Sequence, residues 1–546
     1  MDKKDNGVAF RFKKNDRVGE AEAESDDEFL FQCFIDNGDL DLLRDCSSAP
    51  RIIVGRTGSG KSALIRMLAD REDHVISLPP EQLSLGYLAN SGVIRFFEEA
   101  GTNLDVFYQL LWKHVLAVEL IKHKYKITND AAQKSFLSSL SQLFVKDKAK
   151  EQAVAYLRKW GENFWNETEY RVREITAKME EDLKASLGAN LGVTRLEAGA
   201  AQKLTAEQKQ EVISRGSRVV NQVQIKALAD VLKLLGDEIF NDPQECYFVT
   251  IDDLDTKWVD DGLKYKLVRA LIETIKSFRQ VRSVKVVVSL RLDLLQRVIS
   301  ETRDSGFQSE KIESLRLNLR WTNNQLQQML NSRIQHLVKQ RYTSRSIQMT
   351  DLFPSHIGRQ SFSDYLTDKT FLRPRDAILF VNECIGRAGD RGHITAQIVQ
   401  DAEGSYSQKR IDSLQEEWGA VYPMVAKYLR VFARRPVSIK LSELSEESIR
   451  DWVQDELLSN PAPNDPVSHA ATLCYMDGKL SHFKFLLVLV NALYTVGAVG
   501  VKPDSASPEY WSYFSDHVPS DGVIKPTTAL KLHPVFWRAV GARPPN

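Results

Sequence analysis

The apolar positions along the chain keep two different rhythms. Three short runs, at 52–54 (Ile-Ile-Val), 247–251 (Tyr-Phe-Val-Thr-Ile) and 284–290 (Val-Lys-Val-Val-Val-Ser-Leu), have the length and composition of buried parallel strands. Elsewhere the spacing is helical. Phe107, Leu110, Leu111, His114, Val115 and Val118 recur in this way, as do Val219, Val223, Ile225, Leu228, Val231, Leu232 and Leu235 farther on. Strand signals that alternate with helix signals predict a parallel α/β sheet. The first core element is expected over 29–45, with Leu30, Phe31, Phe34, Ile35, Leu40, Leu42 and Leu43 as its apolar positions. Residues 102–240 read as a helical bundle covering the sheet, interrupted at 187–201 by three glycines that predict a hairpin or flexible loop. After Trp321 the chain reads as mostly helix to about residue 420. The remainder mixes helices with a candidate hairpin formed by 496–501 and 529–532. Residues 1–27 are polar and form an arm, mobile or docked.

Composition narrows the class. A chain of 546 residues is long enough for several domains, and 73 Lys and Arg against 73 Asp and Glu exclude a polybasic nucleic-acid coat for the whole. The five cysteines stand far apart and never as C-x-x-C, so no disulfide framework or zinc knuckle is readable. The opening MDKKDNG does not read as a secretory signal. The apolar stretch 485–501 holds Asn491, Thr495, Gly497 and Gly500 and is short for a membrane span, so a buried helix followed by a strand is expected there. These features predict a cytoplasmic protein with no membrane contact.

The chemistry is concentrated at the strand ends. Gly55-Arg56-Thr57-Gly58-Ser59-Gly60-Lys61-Ser62 fits G-x-x-x-x-G-K-[ST] and lies between an apolar strand and an amphipathic helix (Ala63, Leu64, Met67, Leu68). Glycines let backbone N–H groups close around phosphate oxygens, and the helix turns its positive end to the same anion. Lys61 is then expected to hold the β and γ phosphates of ATP, and the Ser62 hydroxyl to ligate Mg²⁺. The run 247–251 delivers Asp252, Asp253 and Asp255 to its carboxyl end, where open α/β sheets bind ligands. Asp252 is expected to hold the metal and Asp253 to orient or deprotonate the attacking water. Asp255 is either a third site residue or the cap of a helix starting near Lys257. The 284–290 run ends in Ser289-Leu-Arg291-Leu-Asp293, which suits a γ-phosphate sensor at Arg291; the alternative is a salt bridge from Arg291 to one of the aspartates. Arg373-Pro374-Arg375-Asp376 opens a further helix, from which either arginine could swing onto the nucleotide, or Arg373 and Asp376 could form a structural cap.

These motifs, with the 321–334 helix (WTNNQLQQMLNSRI) and the closing LHPVFWRAVG, resemble bacterial P-loop ATPases of the AAA+ superfamily, and among them the STAND and KAP-like branches, many of which are encoded in anti-phage defence loci. The likeness covers roughly residues 28–100 and 245–540. It implies an α/β fold of P-loop AAA+ type, with a parallel sheet in a core over 28–320, a large helical insertion at about 102–240, a helical lid over 321–421 and a winged-helix-like domain over 422–546. By the same resemblance Arg291 takes the sensor 1 place and Arg373 or Arg375 the sensor 2 place. Arg297 or Arg303 would reach into a neighbouring subunit of a homo-oligomer. Lys61 and Asp252 are much farther apart than a minimal core requires, and the charged insertion between them is unlike the transmembrane helices that KAP proteins often carry there.

The resemblance supports two functions. One is an ATP-driven switch or motor in defence, with an effector or sensor protein as partner. The insertion is the expected contact surface, because Trp160, Phe164, Trp165 and Tyr170 sit among its charges and its last helix leads to Asp252. The other is a DNA-binding initiator or loader, in which the winged helix contacts nucleic acid. Near balance of Lys and Arg with Asp and Glu over 422–546 favours protein contact for that domain.

Overall fold

A computed structural model of the chain describes residues 11–83, 92–127, 130–143, 177, 181, 185, 202, 204–222, 225–302, 312–342, 346–513 and 522–544. The insertion aromatics Trp160, Phe164, Trp165 and Tyr170, the 187–201 stretch and Arg303 lie outside the described residues. The chain divides into two units. One comprises Asp36–Arg56 and Lys61–Leu319, the other Met1–Ile35, Thr57–Gly60 and Arg320–Asn546.

The first unit is built on five parallel strands: β1 (Ile52–Gly55), β2 (Val75–Ser77), β3 (Tyr247–Ile251), β4 (Val284–Arg291) and β5 (Arg316–Asn318), in the order β2-β3-β4-β1-β5. The three predicted runs are its three central strands. They are buried along their length, as continuous apolar strands covered on both faces must be. The helix Asp105–Tyr125 packs on the helix Asp261–Phe278, where the Trp112 indole donates to the Leu267 carbonyl at 2.9 Å. Asp105–Tyr125 buries residues all around its circumference, the mark of an interior helix. Its apolar residues, with Ile127, Phe136, Val212, Val231, Leu232 and Leu235 from farther along the expected insertion, belong to the same core as the sheet. The last helix of the insertion, expected over 219–240 to run straight into the acid-bearing strand, differs in its bounds. The helix Ile225–Leu234 ends in a π turn over Leu235–Ile239, and residues 240–246 intervene before β3.

The expected first element, 29–45, is two helices, Asp27–Cys33 and Asp39–Arg44. Gly38 takes a left-handed φ of 91°, and its N–H and that of Asp39 bond back to the side chains of Asp36 and Asn37, a turn that competes with helix.

The second unit includes the polar N-terminal segment. From residue 11 that segment is docked, which corrects the mobile reading: Phe12 and Val18 are buried, and Asp26 forms a buried ion pair with Arg333 at 2.6 Å. Val18 N–H and the Gly19 carbonyl bond both ends of the Asn382 amide at 2.9 Å. The polar sequence conceals two apolar anchors and a chain of backbone hydrogen bonds. Long helices come next, at Asn323–Arg341, Pro374–Ala388 and Ala396–Trp418, with a small hairpin of β6 (His356–Ile357) and β7 (Gln360–Ser361) between the first two. Beyond them, β8 (Ser438–Lys440), helices Glu446–Trp452, Pro466–Ala471 and His482–Thr495, β9 (Val499–Lys502) and β10 (Ala529–Leu532) succeed one another, and the strands form an antiparallel sheet ordered β8-β10-β9. The apolar stretch 485–501 is thus a largely buried helix followed by a strand. Among the described residues no helix is long and apolar enough to cross a membrane.

Candidate functional site

The loop from Gly55 to Ser62 joins β1 to the helix Lys61–Arg71. Gly58 and Gly60 take left-handed φ values of 76° and 97°, a conformation that costs other residues about 1–2 kcal/mol. In the first unit the Lys61 ammonium folds back over the start of the loop, donating to the carbonyls of Gly55 at 3.3 Å and Arg56 at 3.2 Å. In the second unit three successive loop carbonyls are held. Arg373 Nη1 donates to Thr57 O at 2.9 Å, the Arg375 N–H to Gly58 O at 3.3 Å, and Trp321 Nε1 to Ser59 O at 2.8 Å. Carbonyls fixed in one direction free the adjoining amides for the other. Among the described residues nothing accepts from the N–H groups of Gly58, Ser59 and Gly60, so these donors are available to an anion.

The acids stand at the end of β3. Ile251 pairs with Val288, so the next residues, Asp252 and Ser289, are level across β3 and β4, and the Ser289 hydroxyl donates to Asp252 Oδ1. That oxygen also accepts the Asp253 N–H at 2.9 Å. Asp253 has a φ of 57°, unusual for a residue with a side chain, and is exposed; Thr256 N–H and Oγ1 both bond to its carbonyl, at 3.1 and 2.9 Å. Asp252 keeps Oδ2 without a hydrogen bond among the described residues. One free carboxylate oxygen and the Ser62 hydroxyl suit Mg²⁺, which takes few protein ligands and completes its shell with phosphate and water.

Arg291, expected as a sensor or as one partner of a salt bridge, has its guanidinium engaged by Asp293 in a two-pronged pair, both contacts 2.9 Å, and by Asp255 at 3.1 Å. The side chain facing Asp252 is Ser289. Asp255 does not cap a helix near Lys257. The next helix starts at Asp261, and Asp260 caps it by accepting from Leu263 N–H at 3.1 Å.

The two arginines of the RPRD motif separate by environment. Arg373 is buried and bonds Asp376 at 2.7 and 3.2 Å and Glu417 at 3.3 Å, while Arg410 donates to Asp376 at 2.8 Å. Burial opposes the charge on Asp376, yet Arg373 and Arg410 outweigh it and hold the carboxyl below the ordinary carboxylate range. Arg373 is therefore held behind the loop, in the cap arrangement with Asp376 that the sequence also allowed. Arg375 is half-buried; its Nε donates to the Ala21 carbonyl at 3.0 Å, and its Nη groups make no hydrogen bond among the described residues. The contacts from Trp321 and from the N-terminal segment join residues far apart in sequence, and no local motif announces them. Arg297, expected as a finger toward a neighbour, donates to the Tyr265 hydroxyl of its own chain at 2.8 Å.

Comparison with known proteins adds little beyond the helical part. The family described as the FunZ-associated C-terminal helical domain matches residues 324–415. Among solved structures, the Walker-type ATPase of Pyrococcus abyssi aligns over 96% of this chain and 97% of its own, with 12% identity and a TM-score of 0.37, a likeness too slight to carry fold or activity across. No curated protein matches the chain in sequence.

Proposed function

We propose that the chain is a Mg²⁺-dependent ATPase of AAA+ type that works as a switch or motor. The observation that carries this reading is the loop itself: left-handed glycines, three outward-held carbonyls and three amides without an acceptor form a phosphate cradle beside Lys61. Lys61 leaves its two loop carbonyls for the β and γ phosphates, a charge-assisted exchange. Ser62 and Asp252 would hold Mg²⁺, which would supply positive charge against the phosphates. Asp252 is oriented by Ser289 and the Asp253 amide, and Asp253, exposed at a strained turn, orients the attacking water. Arg375 is the lid arginine with donors to spare for the nucleotide.

The finer reading places the protein among STAND and KAP-like ATPases of anti-phage defence, acting as a homo-oligomer with an effector or sensor partner. For the C-terminal part, a three-stranded antiparallel sheet beside three helices supports a winged-helix-like domain. Its last long helix leaves His482, Phe483, Lys484, Leu487 and Val488 least covered at its start, a mostly apolar set that supports a protein contact over DNA.

Phosphate release from Mg-ATP tests the proposal. The wild type is expected to turn over only with Mg²⁺, and Asp253→Asn to bind ATP but release phosphate much more slowly. Equal turnover in both proteins would remove Asp253 from the reaction, and absence of nucleotide binding in the wild type would remove the reading as a whole.

A further inference from the structure

The strand ends remote from the phosphate loop carry a second cluster that the nucleotide chemistry does not use. Lys285, the second residue of β4, is fully buried, and its ammonium donates to the carbonyls of Leu42 at 2.7 Å and Asp45 at 2.8 Å and to Ser48 Oγ at 2.8 Å. All three of its protons have acceptors. Arg51, also buried, donates to the carbonyls of Ser48 at 2.6 Å, Ala49 at 3.1 Å and Cys46 at 3.1 Å. The turn that contains Cys46 is therefore clamped from both sides.

Cys246 immediately precedes β3. Phe248 pairs with Lys285, so Cys246, two residues earlier, falls on the same face of the sheet as that lysine. The clamped turn carries Cys46 beside the lysine on whose face Cys246 lies, so the two thiols are neighbours. Cys46 is buried and Cys246 partly open to solvent. Burial first, and then the neighbouring thiol, push the Cys46 thiol up, while the charges of Lys285 and Arg51 pull the other way. Burial also draws Lys285 down to about 8.

We infer that Cys46 and Cys246 are a redox site in which a hydroperoxide converts the two thiols to a disulfide across the amino end of β4. Cys246 is the reachable partner. Its sulfur attacks the peroxide, an S–O bond forms, the O–O bond breaks, and the leaving hydroxide takes the Cys246 thiol proton and departs as water, giving a sulfenic acid. The Cys46 sulfur then attacks the Cys246 sulfur; the S–S bond forms, the S–O bond breaks, and the departing hydroxide takes the Cys46 proton as a second water. The sulfur pair loses two electrons and hydrogen peroxide gains them. The product ties the segment before β1 to the segment before β3, the two strands that deliver the phosphate loop and the acids. It closes a long stretch of chain, the arrangement in which a cross-link restricts the unfolded state most.

The test uses the full-length protein, hydrogen peroxide, alkylation of the remaining thiols and peptide mass spectrometry. The expected result is a Cys46–Cys246 linked peptide that is lost on treatment with a dithiol reductant, and a rise in melting temperature on oxidation. In Cys46→Ser the same treatment should stop at a dimedone-reactive Cys246, and Cys246→Ser should show neither product nor melting shift. The wild-type measurement needs no variant. Full alkylation of both cysteines after peroxide, a sulfenic acid on Cys246 that never resolves in the wild type, or cross-links from either residue to Cys33, Cys384 or Cys474 would overturn the inference.

Discussion

Arg375 packs its side chain directly over Gly58: a β-carbon at residue 58 would lie 2.7 Å from Arg375 Cβ and 2.9 Å from its Cδ. The same arginine's N–H bonds to the Gly58 carbonyl, so the first turn of the Pro374–Ala388 helix rests on the middle of the glycine-rich loop within one unit. Gly58 thus meets two demands, a left-handed backbone and room for a neighbouring side chain.

Gly58→Ala should fail on both counts. The left-handed φ alone costs about 1–2 kcal/mol, and the methyl group must also displace Arg375. Thermal unfolding is expected to show a lowered melting temperature, and ATP titration a weaker affinity. A variant with wild-type melting and wild-type affinity would show that the contact between Arg375 and the loop is not maintained in solution.

Trp321→Phe removes one donor while keeping most of the ring. The Ser59 carbonyl then loses its 2.8 Å hydrogen bond, an interaction worth about 1 kcal/mol, or roughly fivefold in Kd if it is spent on holding the loop in its binding shape. Calorimetric titration with Mg-ATP measures this. Unchanged affinity would mean that the loop holds its shape without the indole.

Asp376 carries the pH prediction. Its folded pKa lies below the unfolded value of about 3.9, so the unfolded state binds more protons in the acid range, and the contribution to stability is complete above that value and fades as pH falls through the folded pKa. Asp376→Asn should be destabilised near neutrality by about 3–5 kcal/mol, because the buried guanidiniums of Arg373 and Arg410 lose their shared carboxylate. The gap from the wild type in urea unfolding should narrow below about pH 4. A gap that stays constant down to pH 3 would contradict the depressed pKa.

The central strands and the glycine-rich and acidic segments at their ends were legible in the sequence because each is local: an apolar run, followed at once by glycines or acids. Beyond that range it was silent or ambiguous. Arg291, Arg373 and Arg375 read alike as available cations, and only their partners distinguish them: Asp293 and Asp255 for the first, Asp376 and Glu417 for the second, a backbone carbonyl for the third. Trp321 gave no sign of its bond to Ser59, because that bond depends on where a distant helix begins. The polar segment before residue 27 concealed its docking, which rests on two apolar side chains, one buried ion pair and main-chain hydrogen bonds. The short edge strands β2 and β5 have too few residues to leave a periodic signal.

Calorimetric titration of Mg-ATP into the wild type and into Lys61→Ala tests the central claim most directly. The loop is proposed to bind phosphate through its amides and through an ammonium that leaves the Gly55 and Arg56 carbonyls to do so. The account predicts saturable binding in the wild type and a loss of at least about 2 kcal/mol, roughly thirtyfold in Kd, when that charge-assisted contact is removed. Equal affinity in the two proteins would contradict it.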